Sequence, residues 1–113
     1  MKTVRGKINI DELKNLAQSM FGNMVKAVVD IKQEIMAVGG ELHSDEESLL
    51  MEGGSKNSDL WGINIYPELK GEEFIEFDSM INLRPARGNR TRGIEDPQIR
   101  GKIVQIVNQL VQK

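Results

Sequence analysis

The fold depends on how residues 24–40, MVKAVVDIKQEIMAVGG, are arranged. This stretch is dense in β-branched residues, and its alternate positions fall on the same face if it is extended. It therefore predicts a β-hairpin around Lys32-Gln33, although that pair lacks the residues that take positive φ easily. The alternative is one helix running on through Ile31 and Ile35, against which Gly22-Asn23 argues.

One helix is predicted before this hairpin in the sequence, one after it, and one at the end of the chain. Residues 10–21 carry an apolar stripe at helical spacing, with Asn9 or Asp11 available as a cap. Ser44 and Glu47 have the spacing of a capping box, which predicts a second helix ending at Gly53-Gly54. Asp96-Pro97 predicts the start of a third, with Asp96 as the cap and Pro97 at the first helical position.

Two further strands, residues 60–66 and 74–84, complete the predicted sheet. Pairing their apolar faces places Trp61, Ile63 and Ile65 beside Ser79, Phe77 and Ile75. The opposite face then gathers Asn64, Asp78, Asn82 and Arg84. The expected fold is a single α+β domain over residues 1–113, in the order αββαββα, with a four-stranded antiparallel sheet from two hairpins and three helices on one face.

Composition excludes several classes of function. The chain has no Cys and one His, so neither a disulfide framework nor a His- or Cys-based metal site can be built, and no metal is expected. No run of about 18 apolar residues and no apolar leader segment occur, so we expect a soluble cytoplasmic protein with no membrane partner. Residues 41–78 carry a charge of −9 and residues 79–113 carry +5, which predicts one positive surface on an acidic body.

The positive surface centres on the strand-to-helix corner between Arg84 and Arg92. Guanidinium groups match phosphate or carboxylate oxygens, and glycines let backbone amides approach a ligand. The leading hypothesis is a binding module for an anionic ligand, such as phosphate, a nucleotide or a carboxylate. Its expected ligand-binding residues are four arginines with three orienting asparagines: Arg84, Arg87, Arg90, Arg92, Asn64, Asn82 and Asn89.

Two alternatives apply to the same arginines. They could form internal ion pairs with Asp78, Glu95, Asp96 and the acidic middle of the chain. They could also face a nucleic acid or an acidic protein, although an acidic protein is a poor general nucleic-acid binder.

His43 is the only histidine and lies close to Glu41 in sequence. Both are candidate catalytic residues, because a histidine near carboxylates can act as a general base. The alternative is a histidine held by a carboxylate or a loop carbonyl. A small enzyme with His43 and Glu41 as acid–base groups and the arginines as substrate clamp is thus a second hypothesis. No complete catalytic or cofactor motif accompanies it, so enzymatic activity and cofactor stay open. A protein-interaction domain or homodimer is the third hypothesis.

Several short motifs together resemble a known family. They are Gly39-Gly40-Glu41-Leu42-His43, then Leu60-Trp61-Gly62-Ile63-Asn64-Ile65-Tyr66-Pro67, then Ile81-Asn82-Leu83-Arg84-Pro85 with Gly88-Asn89-Arg90 and Asp96-Pro97. The chain is similar to small, uncharacterised prokaryotic proteins classed only as a domain of unknown function. The resemblance covers about residues 13–111 and implies one small domain. It supplies no activity, substrate or cofactor.

Overall fold

The computed structural model describes all 113 residues and has an α+β fold. Three helices are present: α1 (Ile10–Ser19), α2 (His43–Glu52) and α3 (Pro97–Leu110). Seven short strands accompany them: β1 (Lys2–Val4), β2 (Ile8–Asn9), β3 (Val25–Asp30), β4 (Ile35–Val38), β5 (Leu60–Ile65), β6 (Ile75–Glu76) and β7 (Val111–Gln112).

The hairpin that decides the fold is confirmed: β3 and β4 pair antiparallel, with Val28 opposite Ala37. Asp30 makes the turn that Lys32-Gln33 alone would not favour. Its Oδ1 accepts hydrogen bonds from the backbone amides of Lys32 and Gln33, each at 2.9 Å. Glu34 then takes a positive φ of 59°. An aspartate that bonds to the backbone two residues on is a standard way to build a turn.

The main sheet has five strands in the order β1-β4-β3-β5-β6, so the predicted four-stranded sheet and the order αββαββα are wrong. The additional strand is β1, which pairs antiparallel with β4 through Thr3 and Ala37. A separate parallel pair joins β2 to β7, with Ile8 opposite Val111. Both β1 and β2 lie in the segment before α1, where only two or three residues form each strand.

The predicted strand over residues 74–84 is also wrong beyond its first residues. Its register is right, because Ile65 faces Ile75, but β6 ends at Glu76. The chain then forms two 3₁₀ turns, Met80–Asn82 and Pro85–Arg87. The Asn82 side chain takes the place of a backbone partner for β5: Gly62 N–H donates to its Oδ1 at 2.8 Å, and its Nδ2 donates to Gly62 O at 2.9 Å.

Helices cover both faces of the sheet, not one as predicted. Val25, Ala27 and Val29 on β3 belong to the larger core, with residues of α1 and α3. Val28 points the other way, into a smaller core with Leu50 of α2. Because successive side chains of a strand alternate between faces, α2 lies opposite the other two helices. Trp61 joins the larger core with 3% exposure, as expected from its side of the strand.

Two of the three predicted helix starts are confirmed. Asn9 accepts a hydrogen bond from the amide of Asp11 at the start of α1, and Asp96 accepts one from Gln98 at the start of α3. The predicted capping box of α2 is wrong, since no side chain caps this helix. Glu47 is directed elsewhere: its Oε2 accepts a hydrogen bond from Asn57 at 3.0 Å.

Candidate functional site

Asn82 and Asn89, predicted to orient a ligand, are buried in the protein with 0% and 4% exposure. Asn89 Nδ2 donates to Asn82 O at 2.7 Å and to Gly93 O at 2.8 Å, and its Oδ1 accepts from Glu95 N at 2.9 Å. Buried amides of this kind satisfy backbone groups that would otherwise have no partner. These two side chains hold the loop of residues 82–95 in shape.

Arg84 and Arg87 anchor the same loop to residues 57–58. Arg84 Nη2 donates to Asn57 O at 3.1 Å, and Arg87 Nη1 donates to Ser58 O at 2.9 Å. The Arg84 guanidinium also lies 4.8 Å from the Trp61 ring centroid and 3.7 Å from Glu47 Oε2. Burial lowers the pKa of Arg84, and Glu47 opposes that effect.

The remaining two arginines, Arg90 and Arg92, are exposed. The Arg90 side chain is exposed and forms no ion pair, while its backbone amide donates to Glu95. Arg92 Nε lies 2.8 Å from Asp78 Oδ1 in an ion pair, and 55% of the Arg92 side chain is exposed. The amide of Gln98 near the start of α3 is already bonded to Asp96. The four predicted arginines therefore do not converge on one cleft.

A different set of polar residues meets in a cavity of about 530 Å³, which we name the His43 cavity. It lies beside the start of α2, against β3 and β5 and the segment after β6. Its lining residues are Met24, Lys26, Leu42, His43, Ser44, Asn64, Tyr66, Glu76, Asp78, Ser79, Met80, Ile81 and Arg92. Of the predicted site residues it brings together His43, Asn64 and Arg92. Glu41 lines neighbouring cavities instead, one of them shared with Leu42.

Three polar residues of this cavity stand side by side on adjacent strands. Lys26 on β3 is directly opposite Asn64 on β5, which is opposite Glu76 on β6. Directly opposite residues of paired strands share one face of the sheet. Asn64 Nδ2 donates to Glu76 Oε1 at 2.8 Å, but Asn64 Oδ1 is buried without a hydrogen-bond partner.

His43 is fixed by the sheet below it. Its Nε2 lies 2.8 Å from Ile63 O, so the neutral ring carries its proton on Nε2 and keeps a lone pair on Nδ1. Burial lowers the pKa of His43 from 6.5; the Ile63 carbonyl raises it, and Lys26 lowers it further. The imidazole is consequently neutral at pH 7. The sequence left open that a carboxylate or a loop carbonyl holds His43. A carbonyl does hold it, but that carbonyl belongs to Ile63 in strand β5.

The acidic residues of the cavity have polar partners, whereas Lys26 has no ion-pair partner. Glu76 accepts from Asn64 and also from the Tyr66 hydroxyl at 3.1 Å, while Asp78 pairs with Arg92. Lys26 has no carboxylate within 4.0 Å, and its Nζ lies 5.0 Å from the Phe21 ring centroid. Lys26 was not among the residues predicted from the sequence to bind a ligand. Its position as the one cation in the otherwise mostly apolar strand β3 could have indicated it.

Glu46 is a second residue that sequence reasoning missed. It lies one helical turn after His43 and is fully buried, with its Oε2 accepting from Gly40 N at 2.9 Å. Burial raises the pKa of Glu46 to about 9, and the Gly40 hydrogen bond opposes this. A Cβ on Gly40 would lie only 2.8 Å from Glu46 Cγ. Gly40 therefore makes room for the protonated carboxyl group of Glu46.

No group of His, Asp or Glu side chains is arranged to hold a metal ion. No helix has both the length and the apolar character needed to cross a bilayer.

The fold and the cavity define a small α+β protein with a polar cavity beside one face of its sheet. Residues 2–110 match the model of the family described as "Protein of unknown function (DUF5674)", and the chain belongs to this family. Neither the curated proteins nor the solved structures contain a match.

Proposed function

We propose that this protein binds a small ligand with an anionic group in the His43 cavity. The supporting observation is that one cavity gathers Lys26, Arg92, His43 and Asn64. A volume of about 530 Å³ is within the range of cavities that hold small molecules. The ligand class is the one expected from the sequence, a phosphate, nucleotide or carboxylate. Of the four predicted arginines, only Arg92 lines this cavity.

Two cations would hold the anionic group. Lys26 has no carboxylate within 4.0 Å, and Arg92, which pairs with Asp78 through Nε, keeps 55% of its side chain exposed. A charged hydrogen bond to a phosphate or carboxylate is about twice as strong as a neutral one. Asp78 is paired with Arg92, and Glu76 accepts hydrogen bonds from Asn64 and the Tyr66 hydroxyl, so both nearby acids have other partners than Lys26.

Two acceptors would select the rest of the ligand. Asn64 Oδ1 is buried without a partner, and His43 Nδ1 keeps its lone pair. A buried acceptor without a partner costs about 1–3 kcal/mol, so a ligand N–H or O–H that reaches it is favoured. The ligand class is therefore a small molecule with an anionic group and a hydrogen-bond donor. Arg84, Arg87, Asn82 and Asn89 support the loop, and Arg90 adds positive potential outside the cavity.

A thermal-shift screen followed by calorimetry tests this function. The probes are inorganic phosphate, nucleoside monophosphates and small hydroxy- and amino-carboxylates. A ligand at about 100 times its Kd stabilises the folded state by about 2.7 kcal/mol. Lys26→Met should abolish the shift, whereas Lys70→Met, which removes an exposed lysine outside the cavity, should not. Equal shifts in wild type and Lys26→Met would contradict the proposal.

A second candidate function is acid–base catalysis in the same cavity. The observation that favours it is the fixed tautomer of His43, whose Nδ1 is available as a base at neutral pH. Glu41 does not line this cavity, so His43 would act without it. Each compound that binds should be incubated with the protein and followed by NMR for conversion. His43→Gln should stop conversion and retain binding; conversion at an unchanged rate would exclude this role.

A further inference from the structure

A cavity of about 710 Å³ lies between α3 and the segment around β6. We name it the Phe74 cavity; it shares no lining residue with the His43 cavity. Its apolar walls come from Phe74, Ile75 and Phe77 on one side and from Val104 of α3 on the other. Val104 is 37% exposed although it is apolar. This volume and apolar lining are typical of small-molecule sites.

Gly101 also lies on the α3 side of the cavity. A glycine inside a helix costs about 0.5–1 kcal/mol relative to alanine. Neither packing nor backbone geometry requires glycine here: a Cβ would meet no heavy atom within 4 Å, and φ is not positive. Gly62 is the opposite case, since its Cβ would collide with Ser79. The missing side chain of Gly101 therefore leaves open space, and that space belongs to the cavity.

The polar side chains of the lining are Arg100, Lys113, Glu72 and Asn108, so cations outnumber anions by two to one. Arg100 and Lys113 line the cavity with Glu72, and neither cation has a carboxylate within 4.0 Å. Arg100 donates from Nη1 to the carbonyls of Ile94 and Glu95, so the other guanidinium nitrogens have no hydrogen-bond partner. Lys113 Nζ lies 4.3 Å from the Phe74 ring centroid.

From this geometry we infer that the Phe74 cavity binds a small aromatic molecule with one acidic group. The aromatic part lies over Gly101 and contacts Phe74 and Phe77, since aromatic rings pack well in offset or edge-to-face arrangements. The acidic group pairs with Lys113 and the free nitrogens of Arg100, which prefer carboxylate-like oxygens. This site is independent of the function proposed for the His43 cavity.

The test uses two fluorescent probes of similar size. 8-Anilinonaphthalene-1-sulfonate has an aromatic body and an acidic group, and N-phenyl-1-naphthylamine lacks the acidic group. The sulfonate should bind one site on the folded protein, and Lys113→Gln should weaken it by roughly tenfold, the effect of a lost charged hydrogen bond. The amine should bind Lys113→Gln and wild type equally. Equal loss of both probes, or of neither, would overturn the assignment of Lys113.

Gly101→Leu closes the cavity from the helix side. It should weaken the sulfonate by roughly tenfold or more while raising the melting temperature, because leucine favours helices and its Cβ meets no atom. Gln105→Leu adds the same side chain at an exposed position of α3 outside the cavity and should leave binding unchanged. Sulfonate binding that survives Gly101→Leu would overturn the inference, as would the absence of binding to wild type.

Discussion

Asn82 is bound to Gly62 through both ends of its side-chain amide: Gly62 N–H donates to Asn82 Oδ1 at 2.8 Å, and Asn82 Nδ2 donates to Gly62 O at 2.9 Å. The same Nδ2 also reaches Arg92 O at 3.0 Å. One buried side chain thus completes the edge of β5 and fixes the backbone of a residue that lines the His43 cavity. The asparagine that the sequence suggested as a ligand contact instead holds the backbone of Gly62 and Arg92.

Asn82→Ala should lower the free energy of unfolding by about 3 kcal/mol, because it leaves buried backbone groups without partners. Chemical denaturation measures the change. Asn23→Ala, at an exposed position, is the matched control and should change stability by less than about 0.5 kcal/mol. Similar stabilities for the two variants would contradict a structural role for Asn82.

Gly62→Ala should destabilise the protein by about 1–3 kcal/mol through overpacking, since the new Cβ would lie 2.5 Å from Ser79 Cβ. Gly6→Ala meets no atom within 4 Å and should be neutral or slightly stabilising. Adding Ser79→Gly to Gly62→Ala removes the contacted atom and should recover part of the loss. A double variant no more stable than Gly62→Ala would show that this contact is not the cause.

Glu46 makes stability depend on pH. Its pKa is about 9 in the folded protein and is near 4.5 when the carboxyl is solvated. Between these values the folded state holds a proton that the unfolded state has released, so the free energy of unfolding falls as pH rises. Glu46→Gln keeps a neutral side chain and should be more stable than wild type at pH 8 but similar to it at pH 4.

Urea denaturation from pH 4 to pH 9 measures this difference. The slope attributable to Glu46 cannot exceed about 1.4 kcal/mol per pH unit. Glu41→Gln changes an exposed carboxylate on the adjoining connection and should leave the pH profile of wild type intact. A wild-type stability that does not fall relative to Glu46→Gln would show that the buried carboxyl is not held in its protonated form.

The single histidine gives an unambiguous NMR probe. The His43 ring should titrate with a midpoint below 6.5, and its neutral form should carry the proton on Nε2, because burial disfavours the cation and Ile63 O accepts that proton. Because the folded pKa is lowered, His43 costs stability as pH falls below its unfolded pKa. Asn64→Leu removes a group that favours the protonated ring and should lower the midpoint further. A midpoint above 6.5 would contradict this account.

Local sequence patterns were sufficient for α1, the β3–β4 hairpin, β5 and α3. Each has a periodic apolar face or a cap within its own segment, such as Asp96 before Pro97. The β1 strand could not be found this way, because Lys2–Val4 is short and pairs with β4 more than thirty residues later. The alternation over residues 74–84 was misleading, since the Asn82 side chain displaces the backbone pairing that a longer β6 would make.

The candidate site, too, was predicted from the sequence only in part. Asn64 and Asp78 lie near one another as predicted, since Asn64 Nδ2 lies 3.3 Å from Asp78 O, although Asp78 follows the end of β6 and is not in a strand. Counting arginines did not reveal that Arg84 and Arg87 bind the carbonyls of residues 57 and 58, because sequence does not report which carbonyls lack partners. Lys26 reaches the cavity only through the pairing of β3 with β5, a contact across 38 residues.

Lys26 lies on β3, the central strand of the five-stranded sheet, and its own carbonyl accepts from Gly39 N. Its backbone is thus fixed before any ligand arrives, unlike that of a charge carried on a mobile loop. We therefore expect that association of the proposed ligand with Lys26 needs no preceding rearrangement of the backbone. In stopped-flow experiments the observed rate should rise linearly with ligand concentration and show no plateau from a slow conformational step.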